Sequence, residues 1–121
     1  MTTGGLLFAR TIMIPGVNRR IHPRKVLRGP AKIVLPGQAP RDGRTWDVGI
    51  DGMSVISSKP IPPGTRCEVC FDVPYRGASA QVTAMVKVLY CSYCGPDGFK
   101  VGTAFGDLDP SSRDVLKEFT Q

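Results

Sequence analysis

Apolar and polar positions alternate with a period of two over much of this chain. Across residues 81–91, Val82, Ala84, Val86, Val88 and Tyr90 share one face, and Thr83, Lys87 and Cys91 share the other. Across 66–73, Cys67, Val69, Phe71 and Val73 oppose Glu68, Cys70 and Asp72. Successive side chains of a strand point to opposite faces, so these runs predict strands with one buried side. The pattern predicts six strands, at 26–35, 44–48, 52–57, 66–73, 81–91 and 99–105. The breaks between them carry glycine or proline: Pro36-Gly37, Asp42-Gly43, Asp51-Gly52, residues 60–64 and 74–77, and Gly95-Pro96-Asp97-Gly98. Short strands with turns about every ten residues predict an antiparallel sandwich or barrel. The pattern changes after Asp109. Asp109 can cap a helix, Pro110 suits its first position, and Val115, Leu116 and Phe119 form a stripe able to close the end of a barrel. The expected fold is mainly all-β with one C-terminal helix.

Ahead of these elements, Gly4-Gly5 and Pro15-Gly16 mark residues 1–17 as a flexible N-terminal arm, with one short strand over 6–14 as an option. The domain proper is expected over 18–121. A chain of 121 residues with 41% hydrophobic content supports one domain with its own core. No run approaches the ~20 apolar residues of a membrane-spanning helix. Residues 5–14 lack the flanks of a signal peptide. The expected location is therefore the cytoplasm, with the four cysteines as thiols.

Charge changes the picture more than composition does. The net charge is +6, yet residues 1–41 hold eight basic residues and no acid, while 42–121 hold eight basic and ten acidic. The positive field belongs to the N-terminal third. Such asymmetry points to an anionic partner, the competing reading being a merely solubilising surface. The cations concentrate in Asn18-Arg19-Arg20-Ile21-His22-Pro23-Arg24-Lys25. Pro23 cannot donate a backbone hydrogen bond and biases His22 toward an extended conformation, so this is a linker or edge segment and not a basic helix. A hairpin later comes Asp47-Val48-Gly49-Ile50-Asp51-Gly52. Guanidinium forks suit phosphates and guanine edges, and a glycine-spaced turn lets backbone N–H groups approach a ligand.

Arg20-x-x-x-Arg24, then Asp47-x-Gly49-x-x-Gly52 at a hairpin, then an all-β body and a C-terminal helix, resemble the PilZ domain family of bacterial cyclic di-GMP receptors. The resemblance spans about residues 18–119. It implies a six-stranded antiparallel β-barrel with a C-terminal α-helix and a flexible N-terminal arm. It also implies a non-enzymatic signalling role in processes such as biofilm formation and motility. By this resemblance Arg20 and Arg24 match the family's paired arginines and Arg19 the extra basic residue before them. Asp47 matches the acidic position, Gly52 the final glycine, and Gly102 a glycine of a late strand. The family's serine is Gly49 here. Glycine keeps the backbone N–H but loses a hydroxyl whose bond to a charged group is worth on the order of 1.5–3 kcal/mol, a weakening of roughly ten- to a hundredfold. The implied ligand is cyclic di-GMP, bound singly or as an intercalated dimer that Arg19 would suit. The implied partner is a protein that reads the ligand-ordered arm. Six cations near residues 19–32 repel one another until a dianion arrives, which predicts a disorder-to-order switch.

Other readings compete with this one. A barrel of the same kind could act as a nucleotide-independent adaptor at pili or flagella. A nucleic-acid-binding barrel would use the basic arm on phosphates, but no aromatic interleaves with the basic run. Cys67-x-x-Cys70 and Cys91-x-x-Cys94 have four-thiolate zinc spacing. Against zinc, an offset of three in a strand puts Cys67 and Cys70 on opposite faces, so all four are expected as thiols in adjacent strands. His22 is expected at the surface. Trp46, on the opposite strand face from Asp47, is expected in the core. No catalytic triad or carboxylate pair with arguable roles is present.

Overall fold

The computed structural model describes residues 22–121. The expectations for the arm over 1–17 and for Arg19 and Arg20 therefore lie outside the described residues. In chain order the elements are β1 (Lys25–Val26), β2 (Pro30–Val34), β3 (Arg41–Val48), β4 (Gly52–Ser57), β5 (Arg66–Tyr75), β6 (Ala78–Tyr93), β7 (Phe99–Phe105) and α1 (Pro110–Phe119). A single 3₁₀ turn, Gly95–Asp97, joins β6 to β7. Six strands close into an antiparallel barrel in the order β2-β5-β6-β7-β4-β3, with β3 returning to β2. Closure leaves no long unpaired edge among them. The small β1 pairs only with the last two residues of β3, Lys25 opposite Val48 and Val26 opposite Asp47.

Cys67, Val69, Phe71 and Val73 on β5 and Val82, Ala84, Val86 and Val88 on β6 face inward as the alternation predicts. Ile33, Val48, Met53, Val55, Val69, Val73, Val82, Val88 and Val101 are all buried in one cluster. Helix α1 adds Val115 and Leu116 to that cluster. The Asp109 carboxylate accepts a hydrogen bond from the Ser112 N–H at 3.0 Å, with Pro110 behind it in the first turn. The predicted cap is thus formed. The Phe119 ring at the other end of α1 lies 5.9 Å from the Lys25 ammonium, so the helix reaches back beneath β1.

Four expectations about elements are corrected. Asp42-Gly43 is not a turn but the interior of β3. Its side chains have strand roles: Asp42 forms an ion pair with Lys32 on β2, and a Cβ on Gly43 would stand 2.8 Å from both Ile33 Cδ1 and Ile56 O. The turn lies upstream, where the Gln38 N–H reaches Leu35 O at 3.1 Å and Gly37 takes φ +71°. The predicted strand at 26–35 is split, because residues 27–29 bend around a bulge in β3. Thr45 pairs with Val55 but Asp47 pairs with Ser54, leaving Trp46 as the extra residue. Thr45 and Val48 face inward and are buried, while Trp46 and Asp47 are both half-buried between them. Without the bulge Asp47 would enter the core; with it, Trp46 and Asp47 both face outward. The core position expected for Trp46 is thereby overturned. A second bulge at Leu89, between Val88 opposite Thr103 and Tyr90 opposite Gly102, turns Tyr90 out of the face it was expected to share with Val88. The next residue, Cys91, packs half-buried against the core.

Candidate functional site

Both bulges serve one row of the barrel's outer face. Asp47 on β3 pairs with Ser54 on β4, Ser54 with Gly102 on β7, and Gly102 with Tyr90 on β6. A bulge re-aims a side chain that strict alternation would bury, and here one bulge sits at each end of the row. At the β6 end, Tyr90 is 38% exposed. A Cβ on Gly102 would collide with the Tyr90 ring, so glycine lets the ring lie against the sheet. Gly102, expected to face the ligand, therefore lies beneath Tyr90.

At the β3 end stands Arg24, whose side chain is only 10% exposed. Its Nη1 donates to Asp47 Oδ1 at 3.4 Å, and its Nε lies 3.4 Å from Asp51 Oδ1 as an ion pair without hydrogen-bond alignment. Two carboxylates thus hold one guanidinium. The turn that carries them is tight: the Gly49 N–H reaches Gly52 O at 2.9 Å, and Asp51 O accepts from the Phe105 N–H at 2.9 Å. Gly52 is fixed by space. A Cβ there would collide with Thr103 O and come within 3.0 Å of Arg24 Nη2. The sequence-predicted residues Arg24, Asp47, Gly49 and Gly52 are brought together in this corner.

Gly49 shows what the missing serine does to the shape of the site. A Cβ at this position would meet the Pro23 carbonyl oxygen at 2.9 Å, Asp51 Oδ1 at 3.1 Å and Arg24 Cδ at 3.4 Å. The Pro23–Arg24 segment passes directly over the glycine. His22, expected at the surface, is half-buried beside this passage.

Sequence reasoning missed three features. One is Asp51 as the second carboxylate on Arg24. Its position four residues after Asp47, across a glycine turn, was the available signal. Another is the link from Lys25 to Phe119. The third is the surround of Trp46. The Arg28 guanidinium lies 3.6 Å from the indole centroid while its Nε donates to Trp46 O at 3.1 Å, and Lys100 Nζ lies 5.6 Å from the same ring. The β3 bulge that exposes this indole leaves no mark in a hydropathy pattern.

The cysteines occupy separate places. Cys67 is buried, Cys70 and Cys91 are half-buried and Cys94 is exposed. Burial pushes the Cys67 thiol up in pKa, partly opposed by Arg41. Cys70 instead accepts from the Thr83 hydroxyl at 3.4 Å, and the Cys94 thiol donates to Gly98 O at 3.3 Å. Among the described residues no group of three or more His, Cys, Asp or Glu side chains is placed to hold a metal ion. No described helix is long and apolar enough to cross a membrane.

The domain is thus a closed six-stranded antiparallel barrel, capped by one helix and carrying an arginine over an acidic glycine turn. The PilZ domain family model matches residues 18–121, and the chain belongs to that family. Its fold is similar to the Bacillus subtilis inhibitor of motility MotI/DgrA, with a TM-score of 0.74 and 11% identity over 86% of this chain and 50% of that one. It is also similar to the PlzA protein of Borreliella burgdorferi in complex with c-di-GMP, with a TM-score of 0.64 and 19% identity over 86% of this chain and 42% of that one. The chain thus spans half or less of the length of these solved proteins. No curated protein sequence matches it.

Proposed function

We propose that this domain is a cyclic di-GMP receptor whose N-terminal arm and partner surface change when the ligand binds. The observation that carries the reading is the corner where Arg24, nearly buried, meets Asp47 and Asp51 above the Gly49–Gly52 turn. A guanidinium in that position offers donors to a phosphate or to the Hoogsteen edge of guanine, and the carboxylates offer acceptors to the guanine N–H groups. Arg20 and Arg19 would join from the arm, Arg19 favouring a ligand bound as an intercalated dimer. The PlzA protein, solved in complex with c-di-GMP, supports this choice of ligand. The output would run from the arm into the helix. Arg24 precedes Lys25, and Lys25 lies over Phe119 of α1, so ordering the arm also loads the helix. The domain would act in the cytoplasm as a receptor or adaptor for a protein partner, without catalysis, in control of motility or biofilm formation.

The test is calorimetric titration of the protein with cyclic di-GMP, alongside Arg24→Ala and Arg20→Ala. The expected result is saturable binding by the wild type. Each variant is expected to lose at least tenfold in affinity while still unfolding cooperatively. Wild-type affinity in both variants would sink the assignment.

One observation favours a second reading, an adaptor that needs no nucleotide. Arg24 already has two carboxylate partners, and the Pro23 carbonyl fills the space over Gly49 that a serine would occupy. A site complete within itself can hold a fixed surface for a protein. Absence of any binding heat with cyclic di-GMP, in a cooperatively folded protein, would select this reading.

A further inference from the structure

The cations of this face fall into two groups. Arg24 is neutralised by Asp47 and Asp51. Arg28, Arg44 and Lys100, which surround Trp46, are not. The ion pairs among the described residues are Arg24–Asp47, Arg24–Asp51, Lys32–Asp42 and Arg76–Glu118, and none includes these three. Residues 1–21 contain no Asp or Glu that could supply a carboxylate. Three cations without a carboxylate partner among the described residues therefore gather around the indole.

The shape matches the charge. Arg28, Gly29, Pro30, Arg44, Thr45 and Trp46 line a cleft of about 320 Å³. Trp46 is on β3 and Lys100 on β7, with β4 between them, so the indole and the ammonium meet over the outer face of β4. On the same strand Ser54, opposite Asp47, is fully buried although it faces outward, and its Oγ finds no hydrogen-bond partner among the described residues. The Arg28 guanidinium on the indole is a planar cation on an exposed side chain, tethered to the protein by one hydrogen bond from Nε to Trp46 O. A purine is also planar and offers a larger π face. Placed on the indole, it would free Arg28 to join Arg44 and Lys100 on a phosphate. Base–aromatic stacking tolerates such an exchange because every base has a π face.

We propose that Trp46 is the seat for a guanine base of the bound cyclic dinucleotide, with Arg28 leaving the indole to take a phosphate together with Arg44 and Lys100. This rests on the reading of the domain as a cyclic di-GMP receptor. It adds an aromatic platform one residue along β3 from Asp47, so that a ligand with two bases and two phosphates spans both cation groups.

Trp46 is the only tryptophan in the chain, so its emission reports this position alone. The experiment titrates the full chain with cyclic di-GMP by calorimetry and by tryptophan fluorescence, and repeats the fluorescence with inorganic phosphate at matched ionic strength. Calorimetry is repeated on Trp46→Ala and Trp46→Phe. The expected results are four. Emission changes saturate at the calorimetric midpoint. Phosphate leaves emission unchanged. Trp46→Ala weakens binding about tenfold, and Trp46→Phe, which keeps a ring, weakens it less. Calorimetric binding with unchanged emission, or with unaltered affinity in Trp46→Ala, would overturn the stacked base and leave the receptor reading standing. The same emission change with phosphate would also overturn it. Absence of heat and emission change together would overturn both. Trp46→Phe, the smaller perturbation, keeps the test decisive should Trp46→Ala unfold.

Discussion

At the scale of single residues, Gly49 shows how a departure from a family pattern is tied to its surroundings. From the sequence its effect reads as one lost hydroxyl. The structure adds that the Pro23 carbonyl stands 2.9 Å from where a Cβ would be. That atom belongs to backbone and cannot swing aside as a side-chain tip would. Restoring serine would therefore push on the arm that carries Arg24. We expect Gly49→Ser to cost about 1–2 kcal/mol in urea unfolding, a typical overpacking penalty, and to fall short of a tenfold gain in ligand affinity. A tenfold gain at unchanged stability would mean that the Pro23 carbonyl gives way freely. Arg24, Asp47 and Gly52 were legible in the sequence because each has a chemical type that its position requires. Asp51, Lys25 and Arg28 were not, because their roles depend on which strand lies beside them. Gly102 was legible as a special position, but its reason, the Tyr90 ring lying on it, needs the pairing of β6 with β7.

At the scale of elements, strand alternation named the buried faces of β5 and of β6 as far as Val88, and the turn signals placed β4 and β7 at their observed bounds. It failed where the period slips. The bulges at Trp46 and Leu89 each add one residue and reverse the facing of the side chains beyond it, and hydropathy cannot distinguish an extra residue from a polar intrusion. The Asp42-Gly43 pair misled for a related reason: its glycine answers to the Ile33 side chain and not to a turn. The helix was legible because its cap is local chemistry. Hydrogen bonds from Ser112 hold the Asp109 carboxyl below the usual carboxylate range. The folded state thus favours the ionised form. This contribution is fully present above the unfolded value of about 3.9 and is lost as pH falls through the lower folded value. Asp109→Asn keeps an acceptor for Ser112 but cannot titrate. Its thermal midpoint is expected to fall less than that of the wild type between about pH 5 and about pH 2. Parallel profiles would show that the cap carries no pH-dependent stability.

At the scale of the whole molecule, stability is unevenly shared. The six barrel strands are each paired on both sides and surround one cluster of aliphatic side chains. β1 has two residues, one neighbour, and a Val26 side chain that is 66% exposed. Opening it breaks only a few backbone hydrogen bonds, each worth about 1 kcal/mol net, and leaves the cluster intact. Lys25, Val26 and Leu27 should therefore exchange their amide hydrogens through local opening, far faster than Val69 or Val82, which wait for the barrel to unfold. Saturating cyclic di-GMP is expected to slow exchange at the three arm amides and leave the two barrel amides unchanged; equal protection of all five would place the response in the barrel. An opening cost of a few kcal/mol corresponds to a detached population of about one per cent. A micromolar ligand releases about 8 kcal/mol on binding, more than enough to hold the arm shut. The shortest strand therefore sets how often this corner opens before any ligand arrives. Lengthening the pairing of β1 would lower the detached fraction further and slow the opening of Arg24's corner, while the barrel would be as stable as before.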